Sequence, residues 1–177
     1  MHVTRERIGA PNEVSGIRFN FDVKRHQATS SQHPMNTRTA SCSCGQLRIE
    51  VTGEPKVVGM CHCLACQRRT GSVFAALASF AAPYKVSGNA TEYVRVGDQG
   101  AAFRFRFCPV CGTTVFHTEE GEVGGVGVAV GAFADPNFPA PKYSIYDCRR
   151  HPWVQLPTGT TAFDKDPTRA SAPVLAE

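Results

Sequence analysis

The sequence predicts a mainly β domain, β-sandwich-like, with one short helix. Two observations predict it. From Ser41 to residue 157 the apolar residues come in short alternating runs, cut by Gly, Pro and Asn. Only His62–Thr70 breaks that pattern with a helix-like run. The chain has 177 residues, 42% hydrophobic and 19% charged. That suffices for one core and excludes wholesale disorder.

Taken in order, Gln46–Thr52 reads as a strand with Leu47, Ile49 and Val51 on one face. Lys56–Met60, Val73–Phe80, Tyr84–Ser87 and Thr91–Val96 follow as strands. Phe103–Phe107 alternates Phe with Arg, so one face is expected to be buried as packing. Thr113–Thr118, Glu122–Gly131 and Tyr143–Tyr146 complete the set. Gly71 suits the turn that ends the helix. Residues 1–40 form an extension without sustained periodicity, expected to be flexible. Inside it, 17–23 alternates like a strand, Lys24–Thr39 has linker composition, and Met35 is a candidate biological start. Residues 158–177 are expected to be a disordered tail.

Composition removes several function classes. The longest apolar run is far below the ~20 residues of a membrane span. The first 35 residues hold no apolar stretch of secretory type, which leads to the expectation of a cytoplasmic protein. The net charge of +4 is mostly the head segment, since residues 1–40 carry +3. Seven metal-bound thiolates would take residues 41–157 from +2 to −1. The basic balance is therefore a poor argument for nucleic acid.

Eight cysteines are many for a chain expected in a reducing compartment, where metal ligation or catalysis is commoner than disulfides. Seven fall into three clusters, Cys42-x-Cys44, Cys61-x-Cys63-x-x-Cys66 and Cys108-x-x-Cys111. Zn²⁺ favours thiolates in a tetrahedron. Cys61, Cys63 and Cys66 lie close enough in sequence to form one face of a site unaided. The two bidentate pairs must combine to close another. Four ligands make a structural site, and three leave the open position typical of catalytic zinc. The four-cysteine site would close a loop of about sixty residues. An alternative stays open, in which every cysteine is structural and His62 supplies a fourth ligand.

Cys42-x-Cys44-Gly45, the Cys61-x-Cys63-x-x-Cys66 group with Thr70-Gly71-Ser72, and Phe107-Cys108-x-x-Cys111-Gly112-Thr113 together resemble the glutathione-dependent formaldehyde-activating enzyme family, which includes centromere-protein-V-type proteins. Asp135-Pro136 and the Ile145-Tyr146 to Pro152-Trp153 ending extend the resemblance over roughly 41–157. It implies a β-rich fold of the formaldehyde-activating type with two zinc ions. Cys42, Cys44, Cys108 and Cys111 would hold the structural ion, and Cys61, Cys63 and Cys66 the catalytic one. The implied reaction joins formaldehyde to glutathione as S-(hydroxymethyl)glutathione, a carbon–sulfur lyase reaction run backwards. Gln67-Arg68-Arg69 departs from the family, which often has a basic residue directly after the third cysteine.

The expected partners are glutathione or another small thiol, and formaldehyde or a related aldehyde. At the three-cysteine site either the thiolate or the aldehyde could take the open position. Glutathione has two carboxylates, which makes Arg68, Arg69, Arg149 and Arg150 the candidate substrate-binding residues. His62, His117, His151, Cys148 and Trp153 are expected to be ordinary structural residues. The competing expectation is a non-enzymatic zinc-stapled interaction module, or a carrier of the adduct.

Overall fold

The computed structural model describes residues 3–6, 36–121 and 124–167. The expected strand at 17–23, the linker up to residue 35, the start at Met35 and the tail beyond 167 lie outside them. The alternating runs form two sheets. The smaller holds β2 (Thr37–Ser41), β3 (Arg48–Thr52) and β6 (Tyr84–Ser87), in the order β2-β3-β6. The larger is built from β1 (Val3–Glu6), β4 (Val57–Cys61), β5 (Ala75–Ala81), β7 (Ala90–Val96), β8 (Ala102–Phe107), β9 (Thr114–Glu119), β10 (Gly125–Ala129), β11 (Tyr143–Ile145) and β12 (Thr161–Phe163). Its order is β1-β7-β8-β9-β10-β5-β4-β11-β12. Most neighbours are antiparallel; β11 runs parallel to both β4 and β12.

The alternation decides which side chains meet. Leu47, Ile49 and Val51 are fully buried beneath the small sheet, while Arg48 and Glu50 point outward. They meet Ala78 and Phe80 of β5, Phe116 of β9 and Val126 and Val128 of β10. Each such aliphatic or aromatic burial contributes about 1.5–3 kcal/mol before entropy is subtracted. The next residues along those strands, Leu77, Ser79, His117, Gly125 and Gly127, line a cleft on the other face of the large sheet. The period of two thus gives the sheet one core face and one cleft face. Among the described residues no helix is long and apolar enough to cross a membrane.

The helix α1 spans Leu64–Thr70. Cys63 caps it, its sulfur accepting from the Cys66 backbone N–H at 3.4 Å. Gly71, at φ +66°, closes it in the left-handed conformation.

Three expectations change. The tail expected from residue 158 carries β12, which adds to the sheet edge by backbone pairing with β11. Val3–Glu6, in the expected flexible extension, pairs with β7 at the opposite edge. The Phe stripe of β8 is not simply packing: Phe105 and Phe103 line the cleft. The arginines that alternate with the phenylalanines face away, where Arg104 and Arg106 both pair with Glu92.

Candidate metal centres

Cys42 and Cys44 sit in the turn between β2 and β3, and Cys108 and Cys111 in the turn between β8 and β9. Their four sulfurs lie within 4.8 Å of one another. A zinc tetrathiolate with bonds of about 2.3 Å has tetrahedron edges of about 3.8 Å. The Cys42–Cys44 and Cys44–Cys108 sulfurs stand 3.5 and 3.6 Å apart, so the donor set fits such an ion. Each turn is shaped to present its pair. Gly45 N–H donates to the Cys42 carbonyl, Gly112 N–H to the Cys108 carbonyl, and both glycines have positive φ. The sulfurs also receive donors of their own. Leu47 N–H points at Cys42 Sγ, Val110 N–H at Cys108 Sγ, and Gln46 Nε2 donates to Cys108 Sγ at 2.9 Å. The Thr113 side chain and backbone pull the Cys111 thiol down to about 5. Ser43 and Thr113 hydroxyls join the two turns at 2.8 Å.

The second cluster joins a strand end to a helix start. Cys61 ends β4, Cys63 caps α1 and Cys66 lies in its first turn. All three are buried, and their sulfurs lie within 4.8 Å of one another. Hydrogen bonds from Cys61 and Cys66 push the Cys63 thiol far down, and the contacts of Cys61 with Cys63 and Cys66 push its own thiol up. One thiolate is therefore favoured even without a metal, and a cation at the centre would favour the rest. His62 does not belong to this cluster. Its ring is fully buried, 5.6 Å from the Phe74 ring. The spacing-based alternative of His62 as a fourth ligand is not what the geometry forms.

Cys61, Cys63 and Cys66 line the cleft, a cavity of about 740 Å³, and the four-cysteine cluster does not. Phe103, Phe105 and His117 form its aromatic floor, with ring centroids 5.2–6.2 Å apart. The turn between β7 and β8 reaches across the mouth. There Tyr146 Oη donates to Gln99 Oε1 at 3.1 Å, and Arg149 pairs with Asp98 at 3.0 Å. Burial, with Arg69 and Arg95 nearby, pushes the His117 imidazole down to about 4, so it is neutral at pH 7.

The four candidate arginines part company. Arg69 lies between Cys66 Sγ, at 4.0 Å, and the Phe105 ring, 4.4 Å from its centroid. Arg68 is exposed on the helix. Arg149 is at the mouth with Asp98, and Arg150 is held by Asp147 and the Val154 carbonyl. Among the residues expected to be ordinary, Cys148 is exposed and outside both clusters, and Trp153 is 69% exposed beside His151. His117 instead lines the cleft. Sequence reasoning missed Arg95, which also lines it. Position 95 shares a strand face with Tyr93, and Tyr93 stacks on Phe105 across β7 and β8; that cross-strand alternation was the available signal.

No curated protein matches the chain significantly. A crystal structure of a Rhodobacter sphaeroides protein is similar to it, with 25% identity over 53% of this chain and 85% of that one, at a TM-score of 0.40. The profile of the family described as glutathione-dependent formaldehyde-activating enzyme matches residues 37–149, a span that includes all seven clustered cysteines, and the chain belongs to that family.

Proposed function

We propose that this protein is a two-zinc carbon–sulfur lyase and synthase, acting on adducts of formaldehyde with glutathione or another small thiol. The observation that carries the proposal is the asymmetry of the two clusters. The three-sulfur cluster lines a cavity of about 740 Å³, whereas the four-sulfur cluster is closed by its own four ligands. That volume is within the range of small-molecule sites, about 300–1,000 Å³. Zinc held by Cys61, Cys63 and Cys66 would supply an open Lewis-acid position at the cleft.

The chain's own residues account for the rest. In the synthetic direction a carbon–sulfur bond forms, the carbonyl π bond breaks, and the thiol proton ends on the adduct oxygen. The cleft contributes proximity by holding both reactants beside one sulfur face. Arg69 places positive charge beside the Cys66 sulfur. The turn at Asp98–Gln99, fastened to Arg149 and Tyr146, forms part of the cleft wall. Cys42, Cys44, Cys108 and Cys111 would hold a structural ion that joins the start of the domain to its middle.

The test is exchange NMR of glutathione with formaldehyde at equilibrium, with and without zinc-loaded protein. Faster exchange that is lost in Cys61→Ser supports the proposal. Exchange unchanged by the wild-type protein removes it.

A further inference from the structure

Val57 and Cys61 of β4 line the cleft, while Val58 and Met60 are buried on the opposite side. By alternation Gly59 shares the cleft face. β11 runs parallel to β4, with Tyr143 opposite Gly59 and Ile145 opposite Cys61. Tyr143 and Ile145 line the same cleft, and Ser144 between them is fully buried. The Tyr143 ring lies across Gly59: a Cβ built on this glycine would stand 2.3 Å from Cζ and 2.7 Å from Oη. The missing side chain thus admits the phenol to the cleft face of β4. Two strand residues advance about 6.6 Å, which leaves room for a carbon–oxygen unit between the hydroxyl and the Cys61 side chain.

The cleft wall holds two tyrosines, and their hydroxyls differ. Tyr146 Oη donates to Gln99 Oε1 at 3.1 Å. Tyr143 Oη has no hydrogen-bond partner among the described residues. Burial, with Asp166 and Cys61 nearby, pushes the Tyr143 phenol up, so it keeps its proton at pH 7. It is therefore a donor with nothing in the protein to donate to.

We infer that Tyr143 is a catalytic residue, whose Oη–H donates to the oxygen of the aldehyde and of the hydroxymethyl adduct. The inference rests on the small-thiol proposal above and adds to it the residue that acts on the oxygen. As the carbon–sulfur bond forms, the carbonyl π pair moves onto oxygen. The Tyr143 hydrogen bond stabilises that charge until the thiol's proton reaches it. In the lyase direction the adduct hydroxyl loses its proton and its oxygen re-forms the carbonyl. The carbon–sulfur pair leaves with sulfur, which takes up the proton.

Exchange NMR of glutathione with formaldehyde on zinc-loaded Tyr143→Phe tests this. Phenylalanine keeps the ring over Gly59 and removes only the hydroxyl. Maximal exchange is expected to slow about a hundredfold. The glutathione concentration that gives half of the maximum should stay that of wild type, whereas a merely structural role would move it. Tyr146→Phe, whose lost hydroxyl serves Gln99, should slow exchange far less. A ring-fluorinated tyrosine at position 143 keeps the donor and should keep most of the exchange. Exchange as fast in Tyr143→Phe as in wild type overturns the inference and leaves the proposed reaction standing. A loss that the fluorinated residue does not restore, or that appears only as a raised half-saturation, overturns the catalytic role. No exchange catalysis by wild type overturns both the inference and the small-thiol proposal.

Discussion

The His117 imidazole lies against the backbone of Gly127, so that a Cβ built on this glycine would stand 2.1 Å from the ring's Cε1. The two residues are cross-strand partners on β9 and β10. Alanine here would relieve backbone entropy by about 0.5–1 kcal/mol. Overpacking, at about 1–3 kcal/mol, outweighs that relief. Gly127→Ala is expected to lose about 1–2 kcal/mol in urea denaturation. The double variant Gly127→Ala/His117→Ala should recover most of the loss. A single variant as stable as wild type would mean that the ring is not held there.

The two clusters should respond differently to loss of one thiol. Cys42 and Cys108 are 3% and 0% exposed and belong to the main core. Their metal would join segments more than sixty residues apart, and binding energy at such a site is folding energy. Cys61, Cys63 and Cys66 pack in a smaller cluster with Ala75 at the cleft. Cys108→Ser is expected to cost at least ~3 kcal/mol or prevent folding. Cys61→Ser should keep the fold and retain one metal of two by native mass spectrometry. Equal destabilisation by both variants would contradict this division of labour.

The main core and the two cysteine groups that could hold metal were legible from short spacings within each strand and each cysteine motif. Leu47, Ile49 and Val51 alternate within one strand, and all three are fully buried. Cys61, Cys63 and Cys66 lie within six positions, and one strand end and helix start bring them together. What escaped detection depends on neighbours distant in sequence. Thr161–Phe163 has no apolar face, and its strand exists through backbone pairing with Tyr143–Ile145. The Phe103–Phe105 stripe announces a covered face but not what covers it. That it faces a cleft depends on residues that β9 and β10 bring beside it, among them His117 and Gly125. Arg95 becomes a site residue only when β7 and β8 set it beside Phe103.

His117 should also leave a signature in the pH dependence of stability. Burial and the two arginines lower it from 6.5 to about 4. The unfolded chain therefore binds its proton first as pH falls. The stability carried by the neutral ring is complete above pH 6.5 and is lost on the way down to pH 4. Each tenfold difference in proton affinity between folded and unfolded chain is worth about 1.4 kcal/mol, and partial solvent access reduces the total to about 2–3 kcal/mol. Between pH 6.5 and 4, wild type is expected to lose that much more stability than His117→Gln. Thiol protonation acts on both proteins and cancels in the difference. Parallel curves for the two would show that the ring is freely solvated.

Gln46 ties the four-cysteine centre to the β6–β7 turn. Its Nε2 donates to Cys108 Sγ at 2.9 Å and to the Asn89 carbonyl at 2.7 Å, and its Oε1 accepts from the Asn89 N–H at 3.0 Å. A donor aimed at a ligating sulfur offsets thiolate charge, and the loss of such outer partners typically costs about 10–100-fold in metal affinity. Gln46→Leu keeps the side chain's approximate size and removes every donor and acceptor. It is expected to release the structural metal to a competing chelator about tenfold more readily, with the three-cysteine metal unaffected. Gln46→Glu separates charge from geometry. It can still accept from Asn89 N–H but sets a carboxylate against a thiolate, so it should weaken the centre further than leucine does. If Glu holds the metal as well as Gln, the hydrogen bond to Asn89 is the part that matters, and the contact with Cys108 contributes little.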